Sequence, residues 1–158
     1  MPSRSKPRDV RHFIEEFALI LTGAGMQRMA SRTYAALLAS EVGTMTAREL
    51  AEVLNVSPAA ISGAVRYLEQ VHLIRRGRDP GARTDHFAVG DDAWREAIGA
   101  EIQVMGTLVE SLEHGLSAVA PGSTAARHMT ETRDFYAFLG AEMPKLIERW
   151  SKQRGRRG

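Results

Sequence analysis

Residues 49–69 read ELAEVLNVSPAAISGAVRYLE, and this stretch decides the fold. Thr46 and Glu49, in TARE just at its start, have the spacing of a capping box, in which each side chain satisfies a free amide at a helix start. The helix that follows is short, because Asn55 tolerates the left-handed conformation that ends a helix. Ser57 is a good cap for the next helix, and Pro58 stands at its first position, where a missing N–H costs nothing. Two helices therefore meet through a turn of about three residues. In the second helix, Ile61, Ala64, Val65 and Leu68 fall on one side and can pack on Leu50, Ala51 and Leu54 of the first. Pro58, Ala59, Ser62, Gly63 and Arg66 fall on the other.

That second face is nearly free of bulk, which makes it a poor core surface and a good surface for close approach. The major groove of DNA admits one α-helix where side chains do not hold it away. Ser62 can bond base edges or phosphate, and Arg66 can reach a guanine or the backbone. A solvated helix face would have the same composition, so the pattern alone leaves both readings open. The next segment favours DNA. HLIRRGRDPGARTDHFAV, residues 72–89, has apolar ends, Leu73 with Ile74 and Phe87 with Val89, around a Gly, Pro and Arg-rich middle. It reads as a β-hairpin with a long tip. Two helices followed by an arginine-rich hairpin form a winged helix-turn-helix. Arg75 and Arg76, near the strand, are candidates for phosphate contact, and Arg78 in the tip is a further candidate for DNA contact. Arg83 is the candidate for the minor groove, and Asp79 could hold it there by a charged hydrogen bond.

The run TARELAEVLNVSPAAISGAVRYLEQVHLIRRGRDPGARTDHFAV, flanked by helices, resembles the MarR family of bacterial transcription regulators, in particular its GbsR-like branch. The resemblance covers about Val10 to Val119. It implies a homodimer held by N- and C-terminal helices, with two winged domains reading a pseudo-palindromic operator in double-stranded DNA. It also implies repression relieved by a small-molecule effector bound between the dimerisation helices and the winged domain. By position, Ser57 to Arg66 would be the recognition helix and Arg83 the wing arginine. The family's wing has an Asp followed two residues later by Arg, whereas DPGAR here separates Asp79 and Arg83 by four positions.

Working outward, Phe13, Ile14, Phe17, Ala18 and Leu21 mark a helix that ends at TGAG, and Met26, Met29, Ala30, Leu37 and Leu38 mark a second. After GDDAW a long stripe runs from Trp94 through Ile98, Ile102, Met105, Leu112 and Leu116 to Val119. The last segment repeats at seven residues, with Met129, Tyr136, Met143 and Trp150 at one position and Thr132, Leu139 and Leu146 at the other. Such a seam requires another helix, supplied by packing of the last helix on the long one, by dimerisation, or by both, with dimerisation the favoured need because two such helices have little else to cover them. Pro144 predicts a kink or break at 140–144.

The expected architecture is mainly α with a small β-hairpin wing. A flexible basic arm covers 1–9, supporting and dimerising N-terminal helices 10–45, the winged helix-turn-helix 46–90, C-terminal dimerisation helices 91–151 and a basic tail 152–158. Tyr34, Phe17, Trp94 and Met105 lie on elements that would border an effector pocket, without defining one.

Composition narrows the function. The chain has 158 residues, with 44% hydrophobic and 25% charged, as in a soluble globular protein. Its net charge of +2 is misleading, because residues 1–12 hold four Lys/Arg and residues 145–158 hold six, while the body between them is acidic. Segment 91–142 has nine acidic residues and three Arg, which suits a body facing away from DNA. There is no cysteine, which excludes disulfides, thiolate metal sites and thiol redox sensing. His12, His72, His86, His114 and His128 form no metal-ligand spacing. No P-loop, G-x-S-x-G or dinucleotide fingerprint occurs. The expectation is a cytoplasmic DNA-binding regulator, with no enzyme activity, cofactor, metal or membrane association. The competing expectation is a winged-helix module that binds protein and does not read DNA.

Overall fold

In the computed structural model, which describes residues 7–155, the helix-turn-helix forms through its terminal residues. Thr46 caps α3 (Ala47–Leu54) in a complete capping box: its Oγ1 accepts from the Glu49 amide, and the Glu49 carboxylate accepts from the Thr46 amide at 2.7 Å. Asn55 ends α3 at φ 52°, and Ser57 starts α4 (Pro58–Gln70) by accepting from the Ala60 amide. The turn between them is Asn55, Val56 and Ser57. Ahead of them lie α1 (Pro7–Gly23) and α2 (Arg28–Leu38); after them come β2 (Ile74–Gly77), β3 (His86–Val89), α5 (Ala93–Leu116) and α6 (Thr124–Gly155).

The sheet has a third strand that the sequence reading lacks. β1 (Met45–Thr46) pairs antiparallel with β3, placing Met45 opposite Phe87, and β3 pairs with β2 in the order β1-β3-β2. Two residues are too short a run to show any alternation, so no periodicity marked it. The protein is thus six helices with a small three-stranded antiparallel sheet.

The described residues fall into two compact units that divide after Trp94. In the first, Ile14, Ala30, Leu37, Leu50, Leu54, Ile61, Val65, Leu68, Ile74 and Phe87 form one core, so the apolar sides of α1 to α4 and the root of the wing share it. Arg32 ties three helices together at its edge. Its guanidinium donates to both Glu15 oxygens on α1, at 2.6 Å for the shortest, and to the Leu54 carbonyl that ends α3, at 3.1 Å. A cation at a helix C-terminus also opposes the partial negative charge there.

The second unit is α5 with α6. The helices run antiparallel: Arg95 meets Ser151, and the Met129 sulfur lies near Gly115. Neither helix buries a residue within this unit, and Val104, Phe135, Phe138, Leu146 and Trp150 are exposed.

Three boundaries differ from the sequence expectation. The helix α6 passes through Pro144 without a break, because losing one ladder bond at an exposed position leaves the turns on either side intact. It also continues to Gly155, so the start of the proposed basic tail is helical, with the Lys152 ammonium pairing with Glu148 one turn earlier. Likewise α1 begins at Pro7, within the proposed basic arm, where proline suits a first helical turn. The rest of the arm, 1–6, and of the tail, 156–158, lies outside the described residues.

Candidate nucleic-acid interface

The two sides of α4 separate as its spacing predicts. Ile61, Ala64, Val65 and Leu68 are buried, while Ser57, Pro58, Ala59, Ser62, Gly63 and Arg66 are exposed. A Cβ added at Gly63 would meet nothing within 4 Å, so the domain's own packing does not require glycine there. Ala59, Ser62 and Gly63 leave a surface with little relief, and Arg66 stands one turn further on from Ser62. Among the described residues Arg66 forms no ion pair.

The wing is built by a turn and an ion-pair network. The tip turns at Asp79-Pro80-Gly81-Ala82, where the Ala82 amide donates to the Asp79 carbonyl at 3.0 Å and Gly81 has φ +80°. Proline followed by a positive-φ glycine is the sequence of a type II turn. Arg83 follows at once and is exposed. The expected Asp79 to Arg83 brace does not form: among the described residues neither side chain has an ion-pair partner, and Asp79 acts through its backbone carbonyl.

Bracing falls to Asp85 and Glu69, which the sequence reading did not single out as supports. Arg76 donates to both oxygens of Glu69, at 3.0 and 2.8 Å, and to Asp85 at 3.2 Å. Its guanidinium carbon also stands 5.2 Å from the Phe87 ring centre. Arg78 donates to the other Asp85 oxygen at 2.6 Å. The pairing with Arg78, reinforced by Arg76, holds the Asp85 carboxyl below its ordinary range, and Glu69 raises Arg76 above its own. Arg76 and Arg78, read from sequence as DNA contacts, tie the wing to the last turn of α4 and to Asp85 just before β3, and both remain exposed in part. The signal was an acid in the last turn of α4, seven residues before an arginine, but no local spacing rule connects a helix end with a strand.

Gly77 has a comparable packing role. A Cβ there would collide with His86 Nε2, on its cross-strand partner, so the imidazole lies across the glycine. Arg75 is exposed on β2, with its guanidinium end against Gly90. No cluster of His, Asp or Glu among the described residues could hold a metal ion, and no described helix is long and apolar enough to cross a membrane.

Helix, three-residue turn, exposed helix and braced hairpin define a winged helix-turn-helix protein. Comparison with known proteins makes this more specific. Residues 24–83 match the sequence model of the MarR family, and residues 92–153 match that of the MmpR5-like MarR family transcriptional regulators. The chain is 26% identical over 148 residues to the HTH-type transcriptional regulator MmpR5 of Mycobacterium tuberculosis, covering 93% of this chain and 90% of that protein. A crystal structure described as that of a transcriptional regulator superposes with a TM-score of 0.80 at 26% identity, over 91% of this chain and 99% of the other. Both stretches thus match models of the MarR family of transcriptional regulators, and the chain is similar to that family over the winged helix-turn-helix and over the C-terminal helices.

Proposed function

We propose that the protein is a homodimeric, sequence-specific DNA-binding repressor. It would place α4 of each protomer in the major groove of one half-site of a pseudo-palindromic operator. The observation that supports this most is the exposed, low-relief face of α4 running from Ser57 to Arg66 over a fully packed reverse side. Ser57, Pro58, Ala59, Ser62 and Gly63 allow the approach, Arg66 reads a base edge, Arg83 enters the minor groove and Arg75 meets the phosphate backbone. Arg76, Arg78, Glu69 and Asp85 set the angle of the wing.

A homodimer is supported by the second unit. A 32-residue helix that buries no side chain draws little stability from propensity, and its apolar residues need a covering helix. Relief of repression by a small molecule is part of the proposal. An effector that favours one separation of the two recognition helices would change affinity, since both must fit half-sites about one helical turn apart. The GbsR-like placement has the helix-turn-helix pattern as its support, whereas the C-terminal helices match the MmpR5-like description.

The test is equilibrium binding of the full chain to duplex DNA across salt concentrations. A regulator that neutralises phosphates loses affinity linearly in log salt, with a slope of about −0.9 per phosphate contacted. A winged-helix module that binds only protein gives no such slope, and that result would refute the reading.

A further inference from the structure

Between α1, the end of α2 and the exposed side of α3, the first unit has an open cleft of about 340 Å³ that the DNA reading does not use. Its floor is aliphatic: Val10 and Ile14 from α1, Ala36 and Ala39 from α2, with Met45 and Val53 closing the sides. Ile14 and Ala36 are buried, whereas Val53 is 39% exposed and Val42, on the lip, is 85% exposed. A cleft of this size lies in the range that holds small organic ligands.

The polar rim is one-signed. Glu49 and Glu52 are its charged residues, and no Lys, Arg or His is among the lining residues. Glu49 remains ionised because hydrogen bonds from the Thr46 amide and hydroxyl hold its carboxyl below the ordinary range. Both of those bonds use Oε2, and the Arg48 pair with Glu52 uses Oε1. Each carboxylate therefore keeps an oxygen for another partner. An aliphatic floor beneath two carboxylates complements a molecule that is apolar along its body and positive at one end, and it opposes anions.

We propose that this cleft binds a small cationic amphiphile, an organic ammonium with an apolar tail, lying on Val10, Ile14 and Val53 with its charge at Glu49 and Glu52. The experiment uses the full chain without DNA, so that its failure and the failure of the DNA reading are distinguishable. Octyltrimethylammonium, octanol and octanoate, below their micellar concentrations, share a tail and differ in charge. Titration is followed by calorimetry and by the methyl signals of Val10, Val42 and Val53. The ammonium should bind at least tenfold more tightly than the alcohol, octanoate should not bind, and the shifts should fall on those methyls.

The double variant Glu49→Gln with Glu52→Gln keeps a capping-box acceptor at 49 and should bring the ammonium to the affinity of the alcohol. Val53→Phe fills the cleft from a half-open position and should abolish binding of both, with an unchanged circular dichroism spectrum as the check on folding. Equal binding of ammonium and alcohol, ammonium binding unaltered by Val53→Phe, or shifts confined to α5 and α6 would each overturn the proposal. Sedimentation of Val53→Phe reads the other possible occupant. A shift towards monomer would assign the cleft to a second copy of the chain and refute the ligand.

Discussion

At Gly63 the helix gives up stability that alanine would supply. No packing partner lies within 4 Å of an added Cβ, and glycine in a helix interior costs about 1 kcal/mol relative to alanine. Gly63→Ala should therefore raise the melting temperature in calorimetry, because nothing in the domain resists the methyl group. The two arginines beyond it should separate by role. Arg66→Ala should relax preference at one operator position by about 1–3 kcal/mol, read by selection from randomised duplexes, while Arg83→Ala should weaken A·T-rich flanks or all sequences alike. Asp85 gives a pH dependence of known sign. Its folded carboxyl is held below the ordinary Asp range by Arg78 and Arg76, so its contribution is present above the unfolded pKa and is lost as pH falls through the folded one. Carboxyl carbon NMR should place its midpoint below that of a free aspartate, and Arg78→Ala should move it back up. The small face of α4 was readable from residue types alone. The partners of Arg76 were not, since Glu69 and Asp85 meet it only after helix, strand and hairpin have folded together.

Among the elements, those with chemical punctuation were legible and those without it were not. Thr46 and Glu49, Asn55, and Ser57 with Pro58 each fix a helix end through a local hydrogen bond or dihedral preference, and all appear where the sequence placed them. Strand β1 has two residues and is defined only by its pairing with β3. The uninterrupted α6 follows similar logic, because the preference of Pro144 is local whereas the ladder around it is long. The cross-tie of Arg32 to Glu15 and to the end of α3 had no sequence signal, since its partners lie 17 and 22 residues away. Arg32→Ala leaves the Leu54 carbonyl without this donor and should lower unfolding free energy by about 2 kcal/mol in urea titration. Thr46→Ala should cost about 1 kcal/mol in the same measurement, through the lost cap.

For the whole molecule, the fold class and the order of parts followed from one turn and one hairpin, and the six helices with a small antiparallel sheet agree with them. The basic balance of the chain carried little of that information, because a charge sum records nothing about which face holds the arginines. Phe135, Phe138 and Trp150 are exposed and are the residues that the proposed homodimer would cover, so Phe135→Ser with Phe138→Ser should shift sedimentation towards monomer in a concentration-dependent way. The central claim, that the bare face of α4 enters a groove, is tested most directly by Gly63→Leu against an operator selected by the wild-type chain. The account predicts an unchanged fold by circular dichroism with affinity for that operator reduced roughly tenfold or more, as a bulky side chain holds the helix out of the groove. Undiminished affinity in the folded variant would contradict it.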